Sequence, residues 1–154
     1  MTVNSYLQNR ASSLVIHETE KEKIQKSVNA IKPRLSSYFG SDLSDALLFG
    51  SYTRGTILPR SADSQSDIDI MAVFGNDYGF KPQTFLDKLK RFAEFWYPNS
   101  IVAQSSPSIV FETGAYHVRN HPCLQELARL LHTGEQERLA SDRSERVQRR
   151  SYRV

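Results

Sequence analysis

Apolar residues recur at spacings of three and four in several stretches of the chain. Val3, Tyr6, Leu7, Ala11, Leu14 and Val15 predict a first short helix. Ile24, Val28, Ile31, Leu35 and Tyr38 form one stripe and predict a second, longer helix. Thr19 followed by Glu22 is a capping-box pattern, in which hydroxyl and carboxylate satisfy free N–H groups, so the helix is expected to start there. Pro33 removes one helical hydrogen bond and predicts a kink. Gly40 is a C-terminal stop. Phe85, Leu86, Leu89, Phe92, Ala93 and Trp96 predict a third helix, opened near Pro82 and closed by Pro98. Short apolar runs lie between these stretches. Residues 46–49 end in Gly50-Ser51 and read as a buried strand entering a turn. Residues 59–66 are polar and punctuated, hence a loop, and 67–74 read as a second strand. Residues 101–103 and 109–111 are further short strands. Leu124, Leu127, Leu130 and Leu131 suggest a helix after Pro122. Beyond Gly134 the chain is polar and charged, and too poor in apolar residues to offset an ordering cost of roughly 1–2 kcal/mol per residue, so poor order is expected there.

Composition narrows the class. The chain has 154 residues, 39% of them hydrophobic and 24% charged, as expected of one globular domain. The longest unbroken apolar run, Ile70 to Phe74, is far short of the ~20 residues that span a bilayer. Residues 1–10 carry no basic start followed by an apolar stretch, so no secretory signal is read. The single cysteine, Cys123, excludes an internal disulfide framework and fits a reducing cytoplasm. The net charge of +3 is too weak alone to argue for nucleic acid.

That charge is unevenly made. All seven lysines lie between Lys21 and Lys90, whereas eight of the thirteen arginines follow Thr113. Residues 137–154 hold six arginines against three acids. We therefore divide the chain into a core, 1–112, and a divergent arginine-rich segment, 113–154. Contact of that segment with nucleic acid is open but not favoured over a solvated tail.

The chemistry concentrates between Leu47 and Phe74. Gly50 has no side chain, so backbone N–H groups there can approach a phosphate closely, and Ser51 adds a hydroxyl donor. Asp67 and Asp69 are two apart, so on a strand their carboxylates share a face. Two adjacent carboxylates repel. A divalent cation relieves that repulsion, and hard oxygen ligands suit Mg²⁺, which is commonly bound by one or two carboxylates plus substrate phosphates. Ile68, Ile70, Ala72 and Phe74 fall on the opposite face as a core anchor. Elsewhere, His117, His121 and Cys123 lack a fourth zinc ligand at the needed spacing. Ser105, Ser106 and His117 make no nucleophile motif.

Leu48-Phe49-Gly50-Ser51-Tyr52-Thr53-Arg54-Gly55-Thr56, followed by Ser66-Asp67-Ile68-Asp69, resembles the nucleotidyltransferase signature of the DNA polymerase β superfamily. The Arg54-Gly55-Thr56 extension and the loop length are similar to the bacterial SMODS-type branch, the cyclic-oligonucleotide synthases of anti-phage signalling. The likeness runs from the N-terminal helices to about Glu112. It implies an α+β fold, a small mixed sheet with helices packed on one face. It also implies a cytoplasmic enzyme that joins nucleoside triphosphates into (cyclic) oligonucleotides with release of pyrophosphate. Gly50, Ser51 and Arg54 would hold the donor nucleotide; Asp67 and Asp69 would be catalytic and ligate Mg²⁺ (or Mn²⁺) in a two-metal clamp.

The sequence departs from the pattern in one place. The family carries a third carboxylate on a later strand beside the Asp-x-Asp strand. Residues 113–120 contain no Asp or Glu, and Glu112 falls too early. The helical second domain of such enzymes is not recognisable either. The alternative reading is therefore a truncated, catalytically degenerate nucleotide-binding fragment.

Overall fold

The computed structural model describes residues 2–113 and 116–124. The first helix, α1 (Val3–Ser13), forms where the spacing places it, with Thr2 capping Ser5 N–H. None of its residues is buried, and Val3, Tyr6 and Leu7 stand exposed. The second, α2 (Glu18–Phe39), starts one residue before Thr19: His17 is the N-cap, and no side chain caps the helix. Glu20 in its first turn turns inward to partner the Arg60 N–H and the Tyr116 hydroxyl. The helix runs through Pro33, which is exposed, and ends at Gly40 with φ +55°. Its stripe of Ile24, Val28, Ile31 and Leu35 is buried, while Tyr38 stays 38% exposed.

The sheet has five strands in the order β1-β2-β5-β4-β3. Strand β1 (Leu43–Phe49) runs antiparallel to β2 (Asp67–Phe74), with Phe49 opposite Asp69. Between them lies α3 (Gly50–Thr53), a single turn of helix. Helix α4 (Pro82–Trp96) follows, opened by Pro82 as its composition predicts. Strands β3 (Ala103–Ser105) and β4 (Ser108–Glu112) make a hairpin at the far edge. β3 is displaced by two residues from the run expected at 101–103; Ile101 is 87% exposed.

The last strand, β5 (His117–Leu124), is the element the sequence does not announce. It lies between β2, parallel to it, and β4, antiparallel to it. The helix expected after Pro122 does not begin there. Pro122, Cys123 and Leu124 are still strand, paired with Ala72, Val73 and Phe74; Leu127, Leu130 and Leu131 lie outside the described residues. Pro122 is tolerated because β4 pairs only as far as Asn120, so β5 has a partner on one side only at that point. The boundary set at residue 112 thus falls inside the sheet. The arginine-rich stretch 137–154 lies outside the described residues.

Helices α2 and α4 pack on one face of this sheet. Phe85, Leu86, Leu89, Phe92 and Ala93 of α4 meet Ile68, Ile70, Ala72, Phe74, Ile109, Phe111 and Val118 of the strands. Burying each large apolar side chain contributes about 1.5–3 kcal/mol. The fold is α+β with a mixed sheet, as the sequence implies.

Candidate functional site: an acidic pair beside a glycine turn

The burial of β2 alternates. Ile68 and Ile70 are fully buried, whereas Asp67 and Asp69 face the open side of the sheet with side chains 20% and 17% exposed. The period of two therefore puts both carboxylates on one face, opposite the helices. Phe49 ends β1 beside Asp69, and the chain turns at once into α3.

Gly50 makes that turn with φ +79°, in the left-handed region that glycine enters without penalty. It also has no space for a side chain. A methyl at Gly50 would lie 2.8 Å from Asp69 Cγ and closer still to Oδ2. The glycine turn and the acidic pair are thus in contact. A helix leaves its first four N–H groups without acceptors inside it, so the N–H groups of Gly50, Ser51 and Tyr52 have no helical partner. Thr53 closes the turn by donating its hydroxyl to Gly50 O at 3.0 Å. Ser51 is half-buried, and Arg54 is exposed just past the turn.

Across from the pair, β5 presents basic side chains. Arg119 Nε donates to Asp67 Oδ2 at 2.7 Å. His121 Nε2 lies 3.2 Å from Asp69 Oδ1. His117 pairs instead with Glu112, Nδ1 to Oε1, at 3.4 Å. Glu112 is thereby placed at the end of β4 on His117, not on Asp67 or Asp69. Arg119 and His121 are the site residues that sequence reasoning missed. They come to the pair only through the β5 register, which sets Asp69 opposite Arg119 and Met71 opposite His121.

The donor set fits one divalent ion: two hard carboxylate oxygens on a shared face, beside a turn whose first N–H groups have no acceptor within the helix. It does not supply the full two-metal set, since a third carboxylate is absent among the described residues. His117, His121 and Cys123 do not form a zinc site: among the described residues, no group of three such side chains is placed to hold a metal. Cys123 is buried and unbonded to another cysteine, and burial pushes its thiol pKa up.

A cavity lies elsewhere. About 820 Å³ opens along α2, with Lys23, Lys26, Arg34 and Tyr116 among its walls. Over it the Arg34 guanidinium stacks on Trp96 and Tyr97 at 5.1 and 5.2 Å. Neither Asp67 nor Asp69 lines it.

Residues 1–138 match the family model described as the Second Messenger Oligonucleotide or Dinucleotide Synthetase domain, SMODS. No curated protein matches the sequence. Among solved structures, Escherichia coli MS115-1 CdnC in its complex with HORMA-deltaN is similar, with TM-score 0.60 and 18% identity over 79% of this chain and 40% of that one. CdnG of Bradyrhizobium diazoefficiens, solved with GTP, matches with TM-score 0.60 and 21% identity over 73% of this chain and 34% of that one. A cytoplasmic RNA terminal U-transferase matches with TM-score 0.52 and 12% identity over 77% and 34%. The chain thus spans about a third to two fifths of the length of these neighbours, and the likeness is one of fold.

Proposed function

The chain belongs to the SMODS domain family, and from that premise we propose that it is the nucleotide-binding core of a nucleotidyltransferase that makes cyclic oligonucleotide signals from nucleoside triphosphates. The setting we propose is bacterial anti-phage defence, in the cytoplasm. Among the described residues no helix is long and apolar enough to cross a membrane, and a single unpaired cysteine fits a reducing compartment. CdnC solved with ATP and CdnG solved with GTP support a nucleoside triphosphate as the ligand.

The observation that carries this reading is the contact between Gly50 and Asp69. It brings a turn suited to phosphate oxygens against a pair suited to the cation that accompanies them. In this reading the N–H groups at Gly50 and Ser51, with the Ser51 hydroxyl, bind the donor triphosphate. Arg54 lies at the rim as a further phosphate contact. Asp67 and Asp69 hold Mg²⁺ or Mn²⁺, which when bound neutralises phosphate charge, the largest part of phosphoryl-transfer catalysis.

Calorimetry with ATP, in the presence of Mg²⁺ and again with EDTA, tests it. The carboxylates meet the phosphates only through the cation, because anion facing anion is repulsive. Binding should therefore need the metal. It should weaken in the Asp67→Asn, Asp69→Asn double variant and in Gly50→Ala, whose methyl would displace the Asp69 carboxylate. Equal affinity with and without metal overturns the reading.

A second reading, nucleotide binding without turnover, is favoured by one observation: Arg119, not a carboxylate, stands beside Asp67.

A further inference from the structure

The open face of the sheet carries positive charge of its own. In the parallel ladder β5 sets Arg119 opposite Asp69 and His121 two residues further on. Residues two apart on a strand share a face, so the acidic pair and these basic side chains project to the same side. The Arg119–Asp67 contact of 2.7 Å has the length of a charge-assisted hydrogen bond. Asp67 is 20% exposed and Arg119 37%, so water screens the contact only in part. The second carboxylate is engaged as well. His121 stands 3.2 Å from Asp69, its ring held edge-on to Phe49 at a centroid distance of 5.0 Å.

We infer that Arg119 is a counter-cation built into the acidic pair, one that competes with a divalent metal ion for Asp67 and sets how tightly the site takes that ion. The inference rests on the reading of Asp67 and Asp69 as metal ligands. A guanidinium stays charged throughout the working pH range. An ion arriving at Asp67 must break the Arg119 hydrogen bond or sit beside a like charge, and both lower its affinity. Arg119 thus does electrostatically for Asp67 what a metal would do, without offering a coordination site to a phosphate.

The test is Mn²⁺ binding to the full 154-residue chain without nucleotide, by electron paramagnetic resonance of the free ion and by calorimetry. Arg119→Gln removes the charge and keeps a polar side chain; Arg119→Met removes the charge and keeps an apolar stem over the sheet. Each should bind Mn²⁺ about tenfold to a hundredfold more tightly than the unmodified chain, the worth of one hydrogen bond to a charged group. Arg119→Lys, which keeps the charge, should stay close to the unmodified value. Adding Asp67→Asn to Arg119→Gln should abolish the gain. Because an ion that binds only the folded chain stabilises it, Mn²⁺ should also raise the Tm of the neutral variants more than that of the parent. If Arg119→Gln and Arg119→Met bind Mn²⁺ no better than the parent while Asp67→Asn weakens binding, Asp67 is a ligand and the inference fails. If neither the parent nor the neutral variants bind Mn²⁺ in a way that depends on Asp67, the metal-ligand reading fails and the inference with it.

Discussion

Asn120 sits in the middle of the sheet with nothing to bond. It is fully buried between Ile70 and Ile109, and both its Nδ2 and its Oδ1 lack a partner. A buried polar group left unpaired costs about 1–3 kcal/mol. Asn120→Val, which suits a central strand, should therefore stabilise the protein by about that amount. An upward shift of the urea midpoint at unchanged slope checks it, and a downward shift would mean that the amide is satisfied. The same scale shows why part of the site was legible in the sequence. Gly50, Asp67 and Asp69 announce themselves locally, one by a turn after an apolar run and two by a spacing of two. Arg119 does not. Its role exists only because the strand register brings it to a residue 52 positions away, and no local pattern encodes that distance.

Elements differ in the same way. The bounds of β2 follow from the sequence because Asp67–Phe74 alternates polar and buried apolar residues within one run. The stripe of α4 is equally explicit. β5 reads His-Val-Arg-Asn-His-Pro-Cys-Leu, with little strand propensity, and is strand because β2 and β4 supply pairing partners. Thr19-x-x-Glu22 failed as a cap because Glu20 was drawn inward and the N-cap fell two residues earlier, at His17, with the helix starting at Glu18.

That inward Glu20 ties α2 to the start of β5, since Tyr116 donates its phenol hydrogen to Glu20 Oε1. Burial, and then the Glu20 carboxylate, raise the Tyr116 pKa well above its ordinary value near 10. Burial also raises Tyr97, partly opposed by Arg34. The folded state thus holds the phenol protons more tightly than the unfolded chain does. This contribution is fully present below about pH 10 and is lost as pH rises through the folded values. Urea midpoints between pH 8 and 11 should be flat at first and then fall. Tyr116→Phe should be less stable at pH 8 by about 1.5–3 kcal/mol, the worth of a hydrogen bond to a charged group, and should fall less steeply above pH 10. An unchanged alkaline slope in Tyr116→Phe would place the titration elsewhere.

At the scale of the whole molecule the question is turnover. Joining two nucleotides needs a donor, an acceptor and a group that takes the acceptor hydroxyl's proton. In the proposed reading, Gly50 and the acidic pair would receive the donor. Neither the cavity along α2 nor the smaller one by Trp96 is lined by Asp67 or Asp69. Beside Asp67 stands a guanidinium, which cannot act as a base. Loss of a positioned general base costs about 10²–10⁴-fold, and loss of acceptor orientation costs further. The 154-residue chain, incubated with all four ribonucleoside triphosphates and Mg²⁺ or Mn²⁺, should therefore yield no oligonucleotide detectable by chromatography, even where ATP binding is measurable. Arg119→Asp should place a third carboxylate beside Asp67 and bind Mn²⁺ more tightly, yet gain little product, because no acceptor site is formed among the described residues near the pair. Robust product from the unmodified chain that disappears in the Asp67→Asn, Asp69→Asn variant would overturn this expectation and make this chain an active synthase.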